Sequence, residues 1–242
     1  WYQNNVLNKN ILWDTSSITP GTKFMDKLNT KITTYFSNKK TNYKIILSLS
    51  DIPGEGEHKI FHYIRNNNHD NDKTVIYGMD ADLIMLSLNH LKNCNSIYLY
   101  RETPIFITSL NSRLDKDETY LLDISLLGKE IYKELTDCDC RDMNNEFYQK
   151  IEDYIFICFL LGNDFMSHFP AINIRTNGFT CLLELYKTHF KNKQLTNNGI
   201  INWKTFKLYI ELLAKNEYQF LLEQYKLRER ASKKFYPESN DE

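Results

Sequence analysis

Three short apolar runs constrain this chain more than any other feature. KIILSLS (44–50), TVIYGMD (74–80) and SIYLYRE (96–102) each read as a strand, bounded by polar or turn-forming residues. Pro53-Gly54 turns the chain after the first run, and Ile60, Phe61 and Ile64 mark a short helix. ADLIMLSLNHL (81–91) is a second helix, between the last two runs. Strand, helix, strand, helix, strand at this rhythm predicts an α/β fold, with a parallel central sheet and crossover helices. After about residue 125 the apolar spacing turns helical, through EFYQKIEDYIFICFLLG, FTCLLELYKTHF and WKTFKLYIELLAKNEYQFLLEQYKL. The expected organisation is an α/β part, 1–124, followed by a mostly helical part, 125–242, with a charged tail. Near the start, ITPGTKFMDKLNTKITTYF has helix-start chemistry, with Thr19 as the expected cap and Pro20 in the first turn.

At 242 residues and 42% hydrophobic content the chain can bury a sizeable core. The net charge of −1 gives no global basic field, but residues 1–50 hold seven lysines against Asp14 and Asp26. Lys23, Lys27 and Lys31 share one helix face, a candidate contact for phosphates or simply a solvated surface. Five cysteines without a CxxC pair argue for a reducing compartment and against a disulfide-linked partner or a structural zinc. YIFICFLL (154–161) is too short to span a bilayer, so no membrane partner is expected.

In a parallel sheet, ligand sites form at the carboxyl edge of the strands. The run at 44–50 would deliver Glu55 and Glu57 to that edge, and the run at 74–80 would deliver Asp80 and Asp82. Asp164 follows an apolar helix and is expected near the core, where a carboxylate needs a partner or a cation. No run of lysines or arginines adjoins these acids, whereas Mg²⁺ or Mn²⁺ prefers carboxylate and water oxygens. Each acid also has a plainer reading. Glu55 and Glu57 suit a helix first turn, Asp80 suits an N-cap, and Asp164 suits a turn. The argument lies in their joint placement. His58 and His62 are four apart, but Lys59 stands where the zinc-protease pattern needs glutamate. Nucleophile elbows and Gly-rich phosphate loops are absent from the sequence.

WDTSSITPGTKFM (13–25), DIPGEGEHKIFHYIR (51–65), YGMDADLIMLSL (77–88), YRE (100–102) and FLLGNDFMSHFP (159–170) together resemble the catalytic region of the XRN 5′→3′ exoribonucleases. The resemblance covers almost the whole chain. It implies a PIN-like or flap-nuclease fold and a two-Mg²⁺ (or Mn²⁺) site that removes nucleotides from single-stranded RNA bearing a 5′-monophosphate. It also implies that Glu55, Glu57, Asp80, Asp82 and Asp164 are the metal-binding, catalytic carboxylates. Glu55, Glu57 and Asp80 would lie nearer one ion, Asp82 and Asp164 nearer the other.

Ser167 departs from the proline many members carry there. The family also places further metal-binding aspartates and a 5′-phosphate pocket upstream of the WD…ITPGT segment. The chain opens on Trp1, so it is expected to be a nuclease region truncated at its start, inactive in isolation. Two other readings stay open: a flap-type or PIN-like DNA nuclease, and a catalytically dead RNA-binding or interaction module. An intracellular location is expected, with cytoplasm and nucleus both open.

Overall fold

The computed structural model describes residues 13–69, 71–100, 111, 113–115 and 118–234. The chain divides into two compact units, 1–63 and 64–242.

In the first unit the motif WDTSSITPGTKF is built locally. Asp14 caps a short 3₁₀ turn, Thr15–Ser17, by accepting from Ser16 N–H at 2.9 Å, and that bond holds its carboxyl below the usual carboxylate range. Trp13 sets its ring edge-on to Phe24, with centroids 4.6 Å apart. Helix α1 spans Lys23–Ser37. Its cap is Thr22 rather than the expected Thr19: the Thr22 hydroxyl accepts from Met25 N–H at 3.3 Å. Thr19 falls in the preceding turn, where its own hydroxyl donates to Ser16 O, and Gly21 supplies the left-handed residue that separates turn from helix. Lys23, Lys27 and Lys31 are exposed along α1.

Residues 44–49 do not form the expected strand, and carry no regular secondary structure. Side chains anchor this segment instead. Asn29 of α1 donates to Ser50 Oγ at 2.9 Å, and Lys59 Nζ donates to Leu49 O at 2.8 Å. The turn at Pro53-Gly54, with Gly54 at φ +101, leads into helix α2, Gly56–Asn66. The buried residues of α2 are Phe61 and Ile64.

The second unit holds the sheet. Strand β1 (Thr74–Tyr77) pairs in parallel with β2 (Ile97–Tyr100), and helix α3 (Asp82–Asn89) forms the connection between them. Strand β3 (Leu121–Asp123) lies antiparallel on the other side of β2, so the sheet is mixed, in the order β1-β2-β3. The expected α/β architecture with a parallel pair and crossover helix is present, and the run at 44–50 is not one of its strands. β2 alternates buried Ile97 and Leu99 with half-buried tyrosines, as a strand covered chiefly on one face must.

The helical part follows as expected: α4 (Ile124–Thr136), α5 (Asn145–Phe159), α6 (Gly178–His189), α7 (Trp203–Ala214) and α8 (Glu217–Lys234). Asp123 and Asn144 cap α4 and α5 through their side chains. Phe147, Ile151 and Ile157 of α5 are fully or nearly fully buried and form the centre of this core with Ile124, Leu135, Leu182 and Tyr186. Burial pushes the half-buried Cys158 thiol up to about 12, which keeps it protonated rather than poised as a nucleophile.

A second, two-stranded sheet joins β4 (Thr196–Asn197) to β5 (Ile200–Ile201) around NNGI. It is pinned to α5 by a buried polar network. Asp153 is wholly buried and accepts from Leu195 N–H, Thr196 N–H and Thr196 Oγ1 through Oδ1 (3.1, 2.8 and 2.8 Å), and from the Tyr186 hydroxyl through Oδ2 at 2.7 Å. Lys150 is nearly as buried, and donates to the Tyr186 hydroxyl at 2.9 Å and to Lys191 O at 2.7 Å.

Candidate metal centre

In the first unit Glu55 ends the Pro-Gly turn and Glu57 lies in the first turn of α2. The backbone carbonyl of Glu55 takes the N–H of Lys59 at 3.1 Å, which starts the helix and leaves the Glu55 side chain outside it. Carboxylate oxygens of both residues and a ring nitrogen of His58 lie within 4.8 Å of one another. Glu55 and His58 are exposed and Glu57 is half-buried. His58 Nε2 stands 3.9 Å from Glu55 Oε2, an ion-pair distance rather than a hydrogen bond.

These donors suit a hard divalent ion. Ligands on opposite sides of a Mg²⁺-sized ion are roughly 4.2 Å apart, twice its 2.1 Å bond length, and the exposed Glu55 can close the small remainder by a rotamer change. The start of α2 also favours the Glu57 carboxylate, in its first turn, by about 0.3–1 kcal/mol.

In the second unit Asp80 and Asp82 follow strand β1 and open α3, as the sequence predicts. Asp80 is exposed, and its Oδ1 accepts from Asp82 N–H at 3.2 Å. This is the capping role considered above, made from one residue before the N-cap, because Ala81 occupies that position and makes no side-chain bond. One oxygen of Asp80 is thereby oriented. The turn is tight: a Cβ added at Gly78 would come within 2.3 Å of a methyl of buried Leu83.

Asp164 is exposed in the loop after α5, not near the core as its sequence setting suggested. Helix α5 ends at Phe159, and Gly162 at φ +84 lifts the chain away from it. Asn163 then shapes the loop. Its Oδ1 accepts from Phe165 N–H at 3.0 Å and Met166 N–H at 2.8 Å, and its own N–H donates to Met166 O at 2.8 Å. Gly162 and Asn163 therefore present Asp164, and the sequence reading passed over both. An Asn before a candidate Asp, next to glycine, was the available signal.

The strand-to-helix turn of the α/β unit carries a pair of aspartates and a separate turn carries a pair of glutamates, donors of the kind that hard divalent cations take. Comparison with known proteins is specific. The model of the XRN 5′-3′ exonuclease N-terminus matches residues 2–103, and that of the Xrn1 helical domain matches residues 144–242. The chain is 33% identical to the 5′-3′ exoribonuclease 2 of Kluyveromyces lactis over 91% of its length, covering 25% of that protein. It is 30% identical to the 5′-3′ exoribonuclease 2 of Arabidopsis thaliana, over 93% of this chain and 26% of the relative. It is 32% identical to the 5′-3′ exoribonuclease 1 of Saccharomyces cerevisiae, over 85% of this chain and 14% of the relative. The chain belongs to the XRN family of 5′-3′ exonucleases. It spans about a quarter or less of the length of these curated relatives.

Proposed function

We propose that this chain is part of a metal-dependent 5′→3′ exoribonuclease that hydrolyses RNA phosphodiesters from a 5′-monophosphate end. The observation that carries the reading is the PGEGEH turn, where two glutamates and a histidine gather donor atoms within 4.8 Å in a chain of this family. Glu55, Glu57, Asp80, Asp82 and Asp164 are the residues that would hold divalent ions, Mg²⁺ or Mn²⁺, two in the complete domain. Such ions, when bound, lower the pKa of an attacking water and stabilise the leaving oxygen. The chain's own residues supply the rest. The Asp82 N–H orients the Asp80 carboxylate, Gly162 and Asn163 present Asp164, and the Lys59 bond to Leu49 O steadies the turn before α2.

Lys23, Lys27 and Lys31 form an exposed row that supports contacts to RNA phosphates, which would be electrostatic and salt-sensitive. The division into an α/β part, 1–124, and a helical part, 125–242, belongs to this proposal; the matched stretches are 2–103 and 144–242. An intracellular setting accords with the RNA substrate, and among the described residues no helix is long and apolar enough to cross a membrane.

The test uses the complete protein that carries these residues. RNA labelled at its 5′ nucleotide and bearing a 5′-monophosphate is incubated with Mg²⁺. Release of labelled mononucleotide ahead of any shortening from the 3′ end supports the reading. Internal cleavage, or equal action on single-stranded DNA, would replace it with the PIN-like or flap-type alternative, and binding without cleavage would replace it with the dead-module alternative.

A further inference from the structure

We propose that Cys138 and Cys140 close a reversible intramolecular disulfide when they meet a peroxide, with Cys138 the attacking thiol and Cys140 the resolving one. The inference is independent of the nuclease reading. It concerns the DCDCRD stretch, 137–142, in the connection between α4 and α5.

Asp137 ends α4 in the left-handed region, at φ 56, and turns the chain out of the helix. Acids and thiols then alternate. Asp137 pairs with Lys191 at 2.7 Å and Asp139 with Lys133 at 2.8 Å, so lysines engage both carboxylates. The two thiols act together on a different group, the Tyr132 hydroxyl: burial raises its pKa first, and Glu146, Cys140 and Cys138 add to the rise. Cys138 is exposed, while half-buried Cys140 donates its thiol hydrogen to Asp142 O at 3.4 Å. The chain itself holds Cα atoms two residues apart within about 7 Å, and a disulfide spans roughly 4.4–6.8 Å. Residues 137–144 carry no helix or strand that would resist the small adjustment.

The pair lacks the donors of a metal site. A structural zinc takes four ligands, and among the described residues the only three candidate ligand atoms within 4.8 Å of one another are those of Glu55, Glu57 and His58. What Cys138 and Cys140 can do unaided is bond to each other. The Cys138 sulfur, as thiolate, attacks the O–O bond of a peroxide ROOH, giving a sulfenic acid and ROH. The Cys140 sulfur then displaces the hydroxyl from that sulfenic sulfur, forming the S–S bond and releasing water. The two thiols lose two electrons and two protons, and the peroxide gains them. Exposure puts Cys138 first, and burial holds the Cys140 thiol above its usual range, against the pull of Lys129. In a reducing compartment such a bond is transient, as in a redox sensor, and is no structural staple. The competing explanation is two thiols that oxidise independently.

The test treats the folded 242-residue chain with hydrogen peroxide, caps the remaining thiols with N-ethylmaleimide and digests with trypsin in the absence of reductant. Cleavage after Lys133 and Arg141 puts both cysteines in one peptide, Glu134–Arg141. That peptide should be uncapped and lighter than the dithiol by two hydrogens, and should take two caps once dithiothreitol has acted. Cys140→Ser should leave Cys138 as a sulfenic acid that dimedone traps, roughly tenfold more than it traps at Cys140 in Cys138→Ser. A wild-type peptide carrying two caps after peroxide overturns the proposal, as does a bond from it to Cys181 or to a second chain. Equal trapping in the two single variants overturns the order of the steps. Thiols that resist capping before peroxide, and yield only after a chelator is added, would replace the disulfide with a metal dithiolate.

Discussion

Arg65 Nη1 stands 2.7 Å from Nε2 of His90 and joins the end of α2 to the residue that caps α3. A guanidinium only donates, so Nε2 accepts and Nδ1 carries the proton, which it donates to Leu86 O at 2.6 Å. His90 is buried, and burial first, then the charges of Arg65 and Lys92, lower its pKa, against the opposing pull of the Leu86 carbonyl. The neutral ring is the one that fits.

The sign of the pH dependence follows. The folded pKa is below the ordinary value of 6.5, so the unfolded chain takes up the proton first. Stability should be full above about pH 6.5 and fall as the pH drops below it, with a slope of up to about 1.4 kcal/mol per pH unit for this one proton. Urea denaturation between pH 7.5 and 5 checks this. In His90→Gln, whose amide oxygen can still accept from Arg65, the slope should be shallower by about one proton.

Removing the buried Asp153 carboxylate should destabilise far more than removing Asp164. Asp153→Ala leaves Leu195 N–H, Thr196 N–H and the Tyr186 hydroxyl without their acceptor and takes from Lys150 the larger of its two nearby anionic partners, Glu146 remaining. A loss of roughly 3–5 kcal/mol is expected. Asp164→Ala, at an exposed loop position, should leave the denaturation midpoint where it was. Guanidinium melts of the two variants side by side give the comparison.

Gly162→Ala should deform the Asp164 loop. Its φ of +84 disfavours any side chain, and a Cβ would lie 2.7 Å from the backbone nitrogen of His168. A cost of roughly 1–3 kcal/mol is expected, with faster amide exchange at Phe165 and Met166 as the Asn163 bonds loosen. Asn163→Asp, which keeps an acceptor, should hold the loop better than Asn163→Ala.

The strands at 74–77 and 97–100 and the helix between them were legible, because an apolar run followed by helical spacing leaves few other arrangements. KIILSLS was misread for an instructive reason. Its composition suits a strand, but strands exist by pairing, and here Ser50 and Leu49 O are bound by the side chains of Asn29 and Lys59 instead. No periodicity reports such long-range side-chain bonds. Asp164 was legible as a candidate from its motif but not in its exposure, which depends on the left-handed turn at Gly162. The burial of Asp153 was not legible, since an acid next to Glu152 in EFYQKIEDYIFICF looks like a surface position until α6 and the β4–β5 turn close over it.

The central claim is that carboxylates at the PGEGEH and DAD turns hold the ions that cleave RNA. The most direct measurement is Mg²⁺-dependent release of 5′ nucleotides from 5′-monophosphorylated RNA by the complete protein, compared with its Asp80→Ala and Asp82→Ala variants. Each variant should lose roughly a hundredfold or more of the rate, since the transition state loses several kcal/mol of metal-held stabilisation, while circular dichroism and the melting midpoint stay close to wild type. Full activity from either variant in Mg²⁺ would contradict the account.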